Sequence, residues 1–66
     1  MKNSIKNERK LSNKTQKQIA KEMKMSRVAI SNIETGKAIP SAKTVLKFGR
    51  VFNLPIEKLF TLENTD

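Results

Sequence analysis

Two short helical segments joined by a two-residue turn constrain the fold of this chain more than any other feature. Their apolar residues recur at intervals of three or four, as in helices that bury one face: Ile19, Ala20, Met23, Ile30 and Ile33. The segments, 16–23 and 27–34, are separated by the turn Lys24-Met25 and by Ser26, a connection too short for antiparallel packing. The two helices must therefore cross at a steep angle, and Ala20 is the small residue that such a crossing requires.

Capping signals bound this helix pair and predict a helix before it. Thr15 and Gln18 have the spacing of a capping box, in which each side chain bonds the backbone N–H of the other residue. Ser26 is suited to cap the second helix of the pair. Upstream, a first helix is predicted over 4–12, with Asn13 as its left-handed C-terminal cap.

Two further helices are predicted in the second half of the chain. The fourth covers 41–52 and ends at Asn53, the fifth covers 56–60, and residues 62–66 are expected to be frayed. One stripe of the fourth helix is expected to face inward, flanked by Leu46 and Phe48: Ala42, Val45, Gly49 and Phe52. A glycine inside a helix costs ~1 kcal/mol, so we expect a neighbouring helix to approach closely at Gly49.

The positive charge of the chain is large and concentrated in its first half. Fourteen Lys and Arg residues face six Asp and Glu residues, a net charge of +8, and residues 1–37 hold ten of the basic residues but three of the acidic ones. Such a concentration attracts polyanions through counterion release. Nucleic acid and an anionic membrane surface are both candidate polyanionic partners. The basic segment has no large aromatic-rich apolar face, which favours nucleic acid.

Length and composition exclude several classes of protein. A chain of 66 residues allows one domain, residues 1–66, without a separate catalytic or sensing module. It has no cysteine and no histidine, so an enzyme, a cofactor, a metal and a small-molecule ligand are not expected. No apolar run approaches the roughly 20 residues of a membrane span, and the N-terminus lacks a signal-peptide stretch. The expected location is the cytoplasm.

The exposed face of the second segment is suited to reading DNA. With Ile30 and Ile33 buried, the opposite face carries four residues: Arg27, Val28, Ser31 and Asn32. A protruding polar helix on a basic body is what recognition in the major groove requires. Two alternatives stay open: Val28 is either a contact to a thymine methyl group or incidentally exposed, and Ser31 either reaches DNA or bonds back to its own helix.

In their order along the chain these residues resemble the phage Cro/repressor helix-turn-helix family, also called XRE-like regulators. The resemblance spans roughly 5–60 and is carried by Thr15, Gln16, Ile19, Ala20, Ser26, Ile30, Ser31, Ile33, Glu34, Gly36, Lys37, Pro40, Ser41 and the run from Leu54 to Phe60. It implies an all-α, compact five-helix, lambda-repressor-like DNA-binding domain with a helix-turn-helix. The implied partner is a double-stranded DNA operator, bound by a homodimer.

The resemblance also implies roles for particular residues. The predicted DNA-contacting set is Gln16, Lys17, Ser26, Arg27, Val28, Ser31, Asn32 and Lys37, with Lys37 on a phosphate. Arg9 and Glu34 are expected to form an internal salt bridge between the first and third helices. The two-fold contact of the dimer is expected from apolar residues near the C-terminus: Val51, Leu54, Pro55, Phe60 and Leu62.

Three positions depart from the family pattern. Lys24 stands at a turn position that is often glycine, where a left-handed residue with a side chain costs ~1 kcal/mol. Lys14 stands before Thr15 where an apolar residue is usual, and Glu8 stands where leucine is common. These two substitutions weaken the expected core contacts of the first helix.

Three functions remain open from the sequence. The first is a sequence-specific transcriptional regulator, by default a repressor that occludes a promoter from a palindromic operator. The second is an antitoxin-like protein-interaction module with the same fold. The third is a non-specific nucleic-acid binder, which would bind all sequences equally, whereas a regulator shows a large specificity ratio.

Overall fold

The computed structural model describes residues 2–61, which form five helices and one short strand pair. The helices are α1 (Ile5–Leu11), α2 (Gln16–Met23), α3 (Arg27–Glu34), α4 (Ala42–Phe52) and α5 (Ile56–Leu59). Strands β1 (Lys2–Asn3) and β2 (Phe60–Thr61) pair antiparallel, with Lys2 opposite Thr61 and Asn3 opposite Phe60. The predicted all-α, five-helix fold class is confirmed, and the two-residue strand pair is an addition to it.

The observed helix bounds differ from the predicted ones mainly at the two ends of the fold. The first helix, predicted over 4–12, is Ile5–Leu11, with Ser4 and Ser12 as its flanking caps. Phe60, predicted as the last residue of the fifth helix, is extended and belongs to β2. The tail predicted to be frayed, residues 62–66, lies outside the described residues.

All five helices contribute to one hydrophobic core. Its buried residues are Ile5 from α1, Ile19, Ala20 and Met23 from α2, Ile30 and Ile33 from α3, Phe48 from α4 and Leu59 from α5. Half-buried apolar side chains pack around them: Met25, Val51, Phe52, Leu54 and Phe60. The ring of Phe48 is the centre of an aromatic group, at 6.3 Å from Phe52 and 5.9 Å from Phe60.

The prediction of which face of α4 points inward is wrong, because the helix is rotated about its axis relative to the predicted stripe. Phe48, placed beside the stripe, is the buried residue of this helix, whereas Ala42 is exposed. The reason is size, because a phenyl ring removes far more apolar surface from water than an alanine methyl group. The expectation for Gly49 is confirmed, since a Cβ there would meet Ile56 Cγ2 and the Leu54 carbonyl oxygen, each at 3.2 Å.

Three of the helices are followed by a left-handed residue that is not glycine. These residues, with φ between 54° and 56°, are Asn13, Lys24 and Asn53. The next N–H donates to the carbonyl five positions back, at 2.9–3.1 Å: Lys14 to Arg9, Met25 to Ala20 and Leu54 to Gly49. This is the Schellman arrangement, which satisfies carbonyl groups at helix ends.

Among the described residues, no helix has both the length and the apolar character needed to span a membrane.

Both ends of the described chain are fastened to the helices. The Asn3 side-chain amide donates to the carbonyl of Ile33, at the end of α3, at 2.8 Å. The backbone N–H of Ser4 donates to the carbonyl of Leu59 at 2.8 Å. These bonds hold the start of α1 against α3 and α5, and so bring Arg9 towards the end of α3.

Candidate nucleic-acid interface

The α2–turn–α3 unit is positioned by its own caps. Thr15 Oγ1 accepts from the Gln18 N–H at 3.1 Å and Gln18 Oε1 accepts from the Thr15 N–H at 2.7 Å, which is the predicted capping box. Ser26 Oγ accepts from the Ala29 N–H at 3.0 Å and so begins α3. At the far end of α2, the ammonium group of Lys47 donates to the Met23 carbonyl at 3.2 Å.

The outer face of α3 opposes the buried Ile30 and Ile33. Arg27 and Val28 are exposed at its first turn, and the Val28 exposure of 61% is large for an apolar side chain. Ser31 and Asn32 are half-buried one turn further along. The face therefore presents one cation, one apolar contact and two small polar groups, which are types of side chain that read base edges.

A cationic cleft lies beside this face, at the start of α2. It is open to solvent, has a volume of about 640 Å³, and is lined by Arg9, Lys10, Asn13, Lys14, Thr15, Gln16, Lys17 and Arg27. Five of these residues are basic and none is acidic. The Lys14 ammonium is paired with Glu22 at 2.9 Å on the exposed surface. The geometry suits a phosphate backbone that passes over the N-terminus of α2.

A polar chain runs from the interior to the outer face of α3. Arg9 Nε donates to Glu34 Oε2 at 2.7 Å, and the Glu34 side chain is only 1% exposed. Gln16 Nε2 donates to Glu34 Oε1 at 3.0 Å, and Arg27 Nη1 donates to Gln16 Oε1 at 3.4 Å. Sequence spacing offered no signal for the contact between Gln16 and Glu34, because these residues meet only through the packing of α2 on α3.

The remaining residues of the predicted DNA-contacting set lie around this face and the loop after it. Lys17 and Ser26 are exposed at the first turn of α2 and the cap of α3. Lys37 is exposed in the loop between α3 and α4, directly after Gly36, whose φ of 82° turns the chain. The Ala38 N–H donates to the Asn32 carbonyl at 3.0 Å, so this loop is folded back onto the end of α3.

Of the residues predicted for the two-fold contact, the four that the structure describes do not form one exposed patch. Val51, Leu54 and Phe60 are half-buried against their own core, Pro55 is exposed, and Leu62 lies outside the described residues. Beside Leu54 and Pro55 runs a groove of about 500 Å³ between α4 and α5, whose lining also includes Leu46 and Ile56. Leu46, predicted to flank the inward stripe of α4, is 58% exposed and lies at the surface.

Metal-based chemistry has no ligand set within residues 2–61. No group of three or more His, Cys, Asp or Glu side chains comes together there in a way that could hold a metal ion.

Known proteins with similar sequences agree with this geometry. A helix-turn-helix family model matches residues 5–59, most of the chain. A protein of Methanocaldococcus jannaschii described as an uncharacterised HTH-type transcriptional regulator is 41% identical over 66 residues, which cover 100% of both chains. Two Archaeoglobus fulgidus proteins with the same description are each 38% identical, one over 100% of this chain and 93% of its own, the other over 79% and 74%.

These matches confirm the resemblance seen in the sequence. The matched region runs from α1 to α5 and contains the α2–turn–α3 unit, with the exposed face of α3 beside the cationic cleft. The chain belongs to the helix-turn-helix family of DNA-binding transcriptional regulators.

Proposed function

We propose that this protein is a sequence-specific transcriptional repressor that binds a palindromic operator as a homodimer and occludes a promoter. The observation that carries the proposal is the position of the exposed α3 face directly beside the cationic cleft at the start of α2. A base-reading helix and a phosphate-binding surface must adjoin if one protein is to use both on the same duplex.

In this proposal α3 enters the major groove with its N-terminal turn leading. The Arg27 guanidinium is suited to two acceptors on guanine, Asn32 to adenine and Val28 to a thymine methyl group. Ser26 and Ser31 lie close enough to the same surface to contact DNA. Gln16 and Lys17 at the start of α2, and Lys37 in the following loop, flank the groove.

The proposed dimer places two α3 helices one DNA turn apart, ~34 Å, on the two halves of the operator. A two-fold contact is self-complementary, so the same surface of each copy must serve. We assign it to the residues predicted from the sequence, Val51, Leu54, Pro55, Phe60 and Leu62, of which Pro55 is exposed and Val51, Leu54 and Phe60 are half-buried. Exposed Pro55 and the groove beside it, whose lining includes exposed Leu46, support this assignment, because both offer apolar surface to solvent.

Selection of bound duplexes from a random DNA pool tests the function directly. The parent is expected to enrich a palindrome with two equal half-sites. Arg27→Ala should lose preference at one base position per half-site and cost about 1–3 kcal/mol on the selected operator. Lys37→Ala is the matched control, since loss of a phosphate contact should weaken all sequences alike.

Two outcomes would contradict the proposal in different ways. Equal binding of all sequences by the parent would identify a non-specific nucleic-acid binder. Absence of duplex binding even at low salt would favour a protein-interaction module of the antitoxin type.

A further inference from the structure

We propose that Glu34 is a positioning residue for base recognition: through the side-chain amide of Gln16 it holds the Arg27 guanidinium in place. The salt bridge between Arg9 and Glu34 would by itself be a structural link between α1 and α3. The contact of Glu34 with Gln16 extends that link to the surface. This inference rests on the proposed function, because it assigns base recognition to Arg27.

The first step is the anchoring of the Glu34 carboxylate. Its side chain is almost fully buried, and the guanidinium of Arg9 donates to both of its oxygens, at 2.7 Å and 3.4 Å. Arg9 Nη1 also donates to the Lys14 carbonyl at 2.9 Å, which fixes the guanidinium itself. A buried carboxylate with a two-point partner has little freedom to rotate, so its oxygens are fixed acceptors.

The second step is the orientation of the Gln16 amide. An ionised carboxylate only accepts hydrogen bonds and a guanidinium only donates them. Gln16 lies between Glu34 and Arg27, so only one of its two amide orientations satisfies both neighbours: Nε2 towards Glu34 and Oε1 towards Arg27. That orientation is the one present, at 3.0 Å and 3.4 Å. The amide is therefore set by charge on both sides.

The third step is the effect on Arg27. This side chain is exposed, and an exposed arginine samples many rotamers. The Gln16 oxygen holds one of its terminal nitrogens and leaves the other donors of the guanidinium available. An arginine that is ordered before binding loses less conformational freedom when it meets a base. Gln16 accordingly acts in base recognition with Arg27, and the proposal assigns it no phosphate contact.

The experiment compares Glu34→Gln and Gln16→Met with the parent, and uses Ile33→Val as the stability control. Glu34→Gln removes the charge that fixes the amide while keeping the shape of the side chain. Gln16→Met keeps length and removes both polar atoms. Ile33→Val lowers stability from the buried side of α3 without touching the polar chain. Circular dichroism first establishes a temperature at which all four proteins are folded.

The first readout needs no DNA. Nitrogen-15 relaxation of the Arg27 Nε–H group is expected to report a more mobile side chain in Glu34→Gln and Gln16→Met than in the parent and in Ile33→Val. If Arg27 is equally mobile in all four proteins, Glu34 does not position it, and the inference is overturned whatever the protein binds.

The second readout is base preference, measured by selection from a random pool. The position of interest is the base pair whose preference is lost in Arg27→Ala. There the parent should discriminate between bases by about tenfold or more, and both polar-chain variants by about threefold or less. Ile33→Val should keep the discrimination of the parent. For Glu34→Gln, non-specific affinity should stay within about twofold of the parent, because the Glu34 side chain is buried and contacts no phosphate.

Distinct results separate the two proposals. If Gln16→Met keeps the preference and loses severalfold in non-specific affinity, Gln16 is a phosphate donor and the inference is wrong. A loss of preference in Ile33→Val equal to that in Glu34→Gln also overturns it, since general destabilisation then explains the effect. If the parent selects no sequence, the proposed function fails, while ordering of Arg27 by Glu34 is still decided by the relaxation data.

Discussion

At the scale of single residues, Lys24 has the backbone conformation that suits its residue type least in the described chain. Four residues there have positive φ: Asn13, Lys24, Gly36 and Asn53. Glycine has no Cβ to clash, and asparagine tolerates the left-handed region, whereas lysine has no such advantage. The turn between α2 and α3 nevertheless forms, because Met25 donates to the Ala20 carbonyl and packs against the core. Tertiary contacts thus impose a conformation that the residue itself disfavours.

Replacing Lys24 with glycine should therefore stabilise the domain. The gain is relief of the left-handed strain minus the added freedom of the unfolded chain, at most about 1 kcal/mol. For a domain this small that corresponds to a rise in Tm of up to about 4–8 °C by thermal unfolding. Asn13→Gly is the matched control and should gain less. A lower Tm for Lys24→Gly would show that the lysine side chain contributes more than its backbone costs.

At the scale of secondary-structure elements, local chemistry could be predicted from the sequence and helix rotation could not. The caps at Thr15 and Ser26 are set by residues a few positions apart, and each forms its expected bond to the helix backbone. The rotation of α4 depends on where Phe48 fits among residues from four other helices, which spacing within α4 does not encode. The contact of Gln16 with Glu34 could not be predicted from the sequence either, because these residues meet only when α2 packs on α3.

Gly49 shows how one element constrains another. Alanine in a helix interior is favoured over glycine by ~1 kcal/mol. At this position, however, the added Cβ would meet the backbone of Leu54 and the side chain of Ile56 at 3.2 Å. Leu54 cannot retreat easily, because its N–H bonds the Gly49 carbonyl at 3.0 Å.

We therefore expect Gly49→Ala to lower Tm despite the better helix propensity. The paired variants Leu46→Ala and Leu46→Gly, at an exposed position of the same helix, measure what a glycine costs in α4 without a close neighbour. If Gly49→Ala instead raises Tm by the full difference between Leu46→Ala and Leu46→Gly, α5 can move away from α4. The close approach at Gly49 then does not constrain the two helices.

At the scale of the whole molecule, the charge distribution governs how tightly DNA is held. If the proposed dimer neutralises about 6–10 phosphates, operator affinity should fall about 10³–10⁵-fold between 50 and 200 mM salt. Fluorescence anisotropy with a labelled duplex measures this slope. Each cation that contacts a phosphate contributes about one unit of the slope, so Lys17→Gln, which changes two positions in a dimer, should reduce it by about two. A flat response would exclude phosphate-driven binding.

The proposed dimer requires a test that spares the fold. Phe60→Glu is unsuitable, because Phe60 packs on Phe48 in the core of its own protomer. Pro55 is exposed at the N-cap of α5, where aspartate is a favourable cap. Pro55→Asp should therefore keep the helical content while its charge opposes the two-fold contact, and should lower operator affinity and the dimer fraction in sedimentation. Lys21→Gln, an equal charge change on α2, should leave the dimer fraction unchanged.

The pairing of β1 with β2 makes the backbone of this domain almost a closed ring. Lys2 lies opposite Thr61, so a short flexible link could join the two strands, and the ring could then be opened at the exposed loop around Lys37. Such a circularly permuted chain would keep the same five helices in the same places, with α4 translated first. Such a chain would separate two requirements: whether the core assembles when α4 comes first, and whether the proposed phosphate contact of Lys37 depends on an unbroken loop.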